Sequence, residues 1–535
     1  MDYAIAAGGI GSMPADARNV SRRRPARLLL SVIALLAATA AVVAYDWDTG
    51  KLGLYPQKLE IIPNGQTKII KVLPGGNIQA ALERATSGDI VELQAGAVYS
   101  GEIELPNKPL TDFVTIQSSA VANLPPDVRV SPEQKSSMAT IVSGMLGRAA
   151  VSAANGAHHY RFVGIEFMPS GSFHNYGIVV FGKGESRPEL VPHDLEIDRS
   201  YIHPFSSGVT RRGIALNSAN TTIKNSYIEG IAFSGEETQG ICGWTGTRNV
   251  RIVNNYIEGG AENILFGGAD PASADLIPAD IEVRRNQLTK PAAWVGKATL
   301  KTLFELKNAK RVTMTGNLLT NNWVGSAFRI TVRDQDGRAP FSTIEDVTIR
   351  DNVINGAGEG INILGKDDTY PSQTLKRLNI INNLFLNIGG SGFDGSGYFI
   401  QIADGEDILI ANNTVFNQGN ITTLYGEPPR SFVFRDNIVG HGKYGVHGLG
   451  DMRSPQARDF FHNNVIVNNR QVSTSDASFP PDNFWIADYG RVGFADLAKM
   501  DVSLTAASRF KQKGREGTDI GCDVRRLPAN LNGTR

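Results

Sequence analysis

Cysteine is nearly absent from this chain. Cys242 and Cys522 are the only two in 535 residues and lie far apart. That excludes a disulfide framework and any thiolate metal site with ligand spacing, and both are expected as small buried thiols. Histidine is scarce as well: eight residues, dispersed, with His158-His159 the one adjacent pair. That pair reads as a surface turn, so no metal is assigned from sequence. Net charge is absent too, with 53 basic against 53 acidic residues, so no global field recruits a polyanion. No basic stripe interleaves with aromatic residues, which excludes nucleic acid as a partner. The Gly267-Gly268 pair in AENILFGGADP follows no phosphate-loop pattern.

Long apolar runs are missing except for one, Leu28 to Tyr45, preceded by Arg22, Arg23, Arg24 and Arg27. A basic flank before an apolar run of that length is a targeting or anchoring segment, at the lower limit for spanning a bilayer. The sequence therefore divides into a cytoplasmic basic N-terminus (1–27), a transmembrane anchor or signal segment (28–45), and an exported remainder. Val42 and Ala44 supply small residues for cleavage, which would release a secreted or periplasmic protein. Residues 46–70 read as an irregular linker.

What the chain has instead is a repeated phrase. LEIDRSYI, TIKNSYI, VRIVNNYI, IEVRRNQL, VTMTGNLL, VTIRDNVI, LNIINNLF, ILIANNTV, FVFRDNIV and FHNNVIV each set a polar residue after a short alternating apolar run. The marked residues are Ser200, Ser226, Asn255, Asn286, Asn317, Asn352, Asn383, Asn413, Asn437 and Asn464, spaced 24 to 35 residues apart. A period of that size is a solenoid, and short strands make it a β-helix. One turn cannot bury its apolar face alone, so turns stack over a shared core. Asparagine suits the bend, because it tolerates left-handed backbone and bonds local groups, and stacked copies can bond one another. The ladder is read as structural.

Ahead of the repeats, Asn77 is an N-cap, and Ile78, Ala81, Leu82 and Ala85 form one helical face. Such a helix would cover the open end of the stack. Residues 119–140 read as an excursion from an early turn, 71–469 as the β-helix, and 470–535 as a C-terminal cap with a helical patch at FADLAKM.

Each turn carries a second strand, and its outward residues are where chemistry is expected. In TLFELK, Phe304 and Leu306 point in and Glu305 and Lys307 point out; in AFRITVR, Arg329, Thr331 and Arg333 point out. The offset from Lys307 to the arginines is close to one turn, and adjacent strands lie about 4.8 Å apart. Asn263, Asn362 and Gln401 join this face by the same parity, with Asp367 and Asp368 at its rim. Arginine forks match carboxylates. A lysine beside two arginines loses its proton more readily, while Glu305 acts in the opposite sense. The set suits removal of a proton next to a uronate carboxylate; it would also serve as a cross-strand charge ladder. Trp244, Trp294 and Trp323 are candidate sugar platforms.

With its opening LPGGNIQAALERATSGDIVELQAGAVY, its asparagine repeats and its closing GTDIGCD, the stretch 70–525 resembles a right-handed parallel β-helix of the pectate-lyase-like superfamily, and exported bacterial members of it in particular. FELKNAKRV followed by SAFRIT is similar to the polysaccharide lyase family of chondroitinase B and alginate lyases. The resemblance implies Lys307 as base, Arg329 as its assistant, and a calcium site that needs further acidic residues on preceding strands; Glu305 is the one acid matched. Arg329 is followed by Ile330 and Thr331, where that family has a histidine-glycine pair.

The expected fold is thus all-β, a right-handed parallel β-helix with an N-terminal capping helix, set in a bacterial cell envelope. The favoured function is a lyase cleaving an acidic polysaccharide by β-elimination: Lys307 and Arg329 catalytic, and Arg333, Glu305, Asn263, Asn362, Gln401, Asp367 and Asp368 binding substrate. The alternatives are a uronate epimerase, a glycoside hydrolase using paired carboxylates among Asp367, Asp368, Asp404 and Asp407, and a non-catalytic glycan-binding envelope protein.

Overall fold

The computed structural model describes residues 58–529 except 144–146, 173, 206–207 and 474–477, together with the backbone of the strands Ala41–Asp46 and Lys51–Pro56. Two long parallel sheets make up almost all of it, one of 15 strands and one of 24. A typical turn shows why. In Arg248–Val253 the side chains of Val250 and Ile252 are buried and those of Asn249 and Arg251 are exposed. The chain bends at Asn254-Asn255, runs through Tyr256–Glu258, bends again, and returns as Glu262–Phe266. Every turn thus adds one strand to each of three faces. Leu318–Thr331 and Val353–Leu364 run through the second bend unbroken, which merges the second and third faces into the larger sheet.

One apolar cluster extends from Ile70 to Phe479 inside the stack. Phe266, Phe304 and Phe328 follow one another at centroid separations of 6.5 and 6.4 Å. This edge-on aromatic column stiffens the rungs beneath the third face.

The asparagine ladder is buried, and its bonds run in one sense. The backbone N–H and the side-chain amide of Asn286 both donate to Asn317 Oδ1, at 2.9 and 3.0 Å, and the same amide donates to the Ile252 carbonyl at 2.8 Å. The pattern repeats upward and takes in Asn483, one rung beyond the last expected member. The left-handed residue at each bend is not the ladder asparagine but its predecessor: Asn254, Arg285 and Asn382 all have φ of 56°. The kink turns the following side chain into the core, where the unpaired amides of the bend require an acceptor.

Several expectations about the ends change. Within the expected 46–70 linker, Leu59–Asn64 and Thr67–Val72 form an antiparallel hairpin that starts the 15-stranded sheet. The helix Ile78–Arg84 is present, and Asn77 Oδ1 accepts from the Ala80 amide at 3.0 Å. FADLAKM is not an α-helix: Phe494–Asp496 pairs antiparallel with Asp501–Leu504, and the Asp496 carboxylate caps the tight turn between them by accepting from the Lys499 amide. Phe484–Ile486 adds a strand past the expected end of the stack. Most of the apolar run at 28–45 lies outside the described residues, while its last residues belong to the strand Ala41–Asp46, paired with Lys51–Pro56. No helix among the described residues is long and apolar enough to cross a membrane.

Two segments cover the outer corner beside the ladder. The 119–140 excursion reaches the lower rungs, where the Val130 amide donates to Asn225 O and Arg129 donates to Asn254 O and Arg285 O. The C-terminal tail reaches the upper rungs. There the amides of Gly521, Cys522 and Asp523 donate to Asp436 O, Thr414 Oγ1 and Asn382 Oδ1, and Arg526 pairs with Asp351 at 3.0 Å. Both cysteines are free and buried, as expected, and burial raises the thiols to about 11 (Cys242) and about 12 (Cys522).

Candidate functional site

On the third face, side chains of one parity stack in register. Leu265, Glu305, Arg329, Asn362 and Gln401 occupy the same position on successive strands. Lys307 belongs to the next outward position. Its amide donates to Phe266 O at 2.8 Å, and its carbonyl accepts from the Arg333 amide at 2.9 Å. Gly267 clears the rung below, since a Cβ there would stand 3.0 Å from Lys307 Cβ; its φ of 95° is open to glycine alone.

These residues line a cleft of about 330 Å³ whose walls are Lys301, Glu305, Lys307, Arg329, Thr331, Arg333, Asn362, Leu364, Asp368, Gln401 and Tyr425. Four of the lining residues are basic and two acidic, so the cleft is cationic. The expected neighbours Lys307, Arg329, Arg333, Glu305, Asn362, Gln401 and Asp368 do meet here.

Two expected members are elsewhere. Asn263 is wholly buried, its amide donating to Ile257 O and Thr289 O at 2.8 and 2.7 Å. It lies within the strand Glu262–Phe266, but these two carbonyls of second-face strands hold its side chain in the interior. Asp367 is also buried; it accepts from the amides of Asp334, Thr369 and Tyr370, and so closes a turn instead of facing the cleft. Of the carboxylates expected for hydrolysis, Asp367 and Asp368 both contact the Arg333 guanidinium. Asp407 is on the first face, in Glu406–Ala411. The contact with Arg333 lowers the Asp368 carboxyl below the usual range, whereas burial and then Glu427 raise that of Asp404. None of the three candidate tryptophans lines the cleft. Trp323 stacks on Phe393 and donates to Lys290 O, and Trp244 lies under Arg212.

Lys301 was not legible in advance. Its ammonium lies 2.9 Å from Glu262, 3.0 Å from Glu305 and 3.4 Å from Glu237. Burial opposes its charge, but Glu305, Glu262 and Glu237 outweigh that and hold it protonated. Behind it Lys290 is fully buried, donating to Gly259 O and Gly260 O at 2.6 Å each, and burial pushes it down to about 7. Lys307 has a weaker acidic neighbour, with Nζ 3.9 Å from Glu305. Among the described residues Arg329 enters no ion pair, and its buried Nε has no hydrogen-bond partner. The Asn362 amide donates to Gln401 at 2.7 Å, and the Tyr398 hydroxyl fixes Gln401 at 2.8 Å. Tyr425 was also missed. It covers one end of the cleft, its hydroxyl donating to Ile363 O at 3.0 Å, and burial raises it to about 12.

The calcium site implied by the lyase resemblance meets a donor set already neutralised. The two carboxylates closest to it, Glu262 and Glu305, share the Lys301 ammonium. A compact monocation thus stands where a divalent ion would need those oxygens, and the set does not fit a resident metal.

Among known sequences, the pattern of the periplasmic copper-binding protein (NosD) family matches residues 282–491. No curated protein matches the chain. Among solved structures, a PL6 family alginate lyase, AlyGC, superposes with a TM-score of 0.52 at 13% identity, over 86% of this chain and 58% of that one. The chain thus spans little more than half of that lyase. A mannuronic acid specific family 6 lyase from human gut microbiota gives 0.49 at 13% identity, over 79% of this chain and 92% of that one. An alginate lyase from Paenibacillus sp. str. FPU-7 gives 0.41 at 14% identity, over 58% of this chain and 98% of that one. At such identities the likeness is one of architecture: the chain has the right-handed parallel β-helix fold of the pectate-lyase-like proteins.

Proposed function

We propose that this is an exported, carbohydrate-active β-helix protein that cleaves a uronate-containing polysaccharide by β-elimination at the third-face cleft. The observation that carries the reading is the unpaired Arg329 guanidinium beside Lys307, in an open cleft where Lys301 and Arg333 are already matched by acids. A uronate carboxylate supplies the missing partner of Arg329. Bound there, it brings the C5–H bond toward Lys307 Nζ. Lys307 takes that proton. The C–H electron pair forms the C4–C5 double bond, the C4–O bond breaks, and the departing oxygen, hydrogen-bonded by Arg329, takes a proton from water, which the protonated Lys307 replaces as it returns to the neutral amine. The positive wall offsets the charge that develops on the carboxylate. Asn362 and Gln401 offer polar contacts to the neighbouring sugar. The structural likeness to an alginate lyase and the match of residues 282–491 to a periplasmic protein family support substrate class and export. Residues 28–45 would anchor the protein or direct its release.

The test is ultraviolet absorbance of unsaturated product from alginate, pectate and chondroitin, using wild type and Lys307→Ala. Wild type is expected to generate the chromophore on at least one of them. Lys307→Ala is expected to lose it with an unchanged circular dichroism spectrum, a drop of about 10²-fold or more. Undiminished turnover in the variant removes the assignment. New reducing ends without absorbance point to hydrolysis, and binding without products to a scaffold.

A further inference from the structure

Three of the eight histidines, His158, His159 and His193, converge on the first face, far from the cleft in sequence. His158 opens the strand His158–Val163 and is the register partner of His193, which opens the next strand, His193–Asp198. The two rings stack at 4.8 Å with 4° between their planes. His159 and Asp194 follow, both left-handed, with φ of 62° and 52°. This is the start of a second left-handed column, which continues through Asn220, Asn249, Asp280, Arg311, Asp346 and Arg377.

Higher in that column the polar groups match one another. Asn249 donates to Asn220 at 2.9 Å, Arg311 binds Asp280, and Arg377 binds Asp346. At the histidine rungs the paired groups are metal-ligating types: one imidazole donates to the other between His158 Nδ1 and His159 Nδ1 at 2.7 Å, and His193 Nδ1 bonds Asp194 Oδ2 at 2.5 Å. One ligand atom each from His159, His193 and Asp194 lies within 4.8 Å of the others, all half-buried. A tetrahedral ion with bonds of ~2.0–2.1 Å needs only a modest inward shift of such groups.

We propose that His159, His193 and Asp194, with His158 beside them, form a surface binding site for a divalent transition-metal ion. Two imidazole nitrogens and a carboxylate select ions of the Cu2+, Ni2+ and Zn2+ kind and disfavour Ca2+ and Mg2+, which require oxygen cages. The site lies outside residues 282–491, which match the copper-binding family, and rests on its own residues alone. It is also separate from the cleft, so its fate does not depend on the proposed lyase activity.

The test is equilibrium dialysis of the full chain, without an affinity tag, against CuCl2 and ZnCl2, with electron paramagnetic resonance on the copper sample. Wild type is expected to bind one equivalent of either ion, Cu2+ more tightly than Zn2+, and the copper spectrum to show nitrogen ligation. The double variant His159→Ala/His193→Ala is expected to lose affinity by more than about tenfold. Asp194→Asn guards against misfolding, because Asn220 and Asn249 adopt the same left-handed backbone in this column; it should weaken binding while its circular dichroism spectrum stays that of wild type. Loss of binding in either variant with its fold intact supports the site. No uptake by wild type, or equal uptake by wild type and both variants, overturns it.

Discussion

Asn352 is wholly buried. Its Oδ1 accepts from both the backbone and the side-chain amide of Asn317 at 2.9 Å, and its own amide donates to Met314 O at 3.1 Å and Asn383 Oδ1 at 3.0 Å. Asn352→Leu keeps the volume, strands the buried Asn317 N–H and takes the side-chain donor from Met314 O, while the Asn352 backbone N–H still reaches Asn383 Oδ1. At about 1–3 kcal/mol for each orphaned group, a loss of about 4 kcal/mol is expected in reversible denaturation. Lys290 acts in the same way but with a pH signature. Burial lowers it to about 7 in the folded chain, against roughly 10.4 unfolded. Between those values the unfolded chain binds the extra proton, so stability rises with pH from about 7 towards 10 and is lost as pH falls back through the folded value. Denaturation of wild type at about pH 7 and about pH 9.5 should show that rise. Lys290→Met, which leaves Gly259 O and Gly260 O unpaired, should be less stable throughout and lack the slope.

At the scale of an element, the strand Thr302–Leu306 and its flanks carry the cleft's charge balance. Lys301→Ala leaves the buried carboxylates of Glu262 and Glu305 facing each other. Destabilisation of about 3–5 kcal/mol is expected, as for any buried pair deprived of one member. Added Ca2+ should raise the melting temperature of this variant and leave that of wild type unchanged, and chelators should not affect wild-type turnover. Alternation within TLFELK and AFRITVR was enough to place Glu305, Lys307, Arg329 and Arg333 on one surface, because extended strands in register preserve parity from rung to rung. The same rule misplaced Asn263, whose amide is drawn inward by the Ile257 and Thr289 carbonyls, and Asp367, whose carboxylate is taken by nearby loop amides. Lys301, Glu262 and Tyr425 were invisible to it: the first two meet across rungs at the strand's entrance, and the third folds over from the end of Thr422–Leu424. The recurrence of asparagine was plain in the sequence, but not which residue of each bend would be left-handed, since asparagine often fills both positions.

For the whole molecule, the corner beside the ladder is bridged from both ends of the chain, by the 119–140 excursion below and the C-terminal tail above. A chain ending after Phe510 loses the tail's bonds to Asn382, Thr414 and Asp436. Its upper rungs should open locally, with amide hydrogen exchange at Asn412 and Asp436 faster by about tenfold or more and exchange near Lys307 unchanged. That locality belongs to the architecture. A turn of this stack touches only its neighbours, and Glu305, Lys307, Arg329, Arg333 and Asn362 come from three consecutive turns. Where most clefts gather distant segments, here one unbroken passage of chain encodes the core of the proposed site. Insertion or loss of turns elsewhere would lengthen or shorten the molecule while leaving that passage intact, so recombination could carry it whole from one such helix to another.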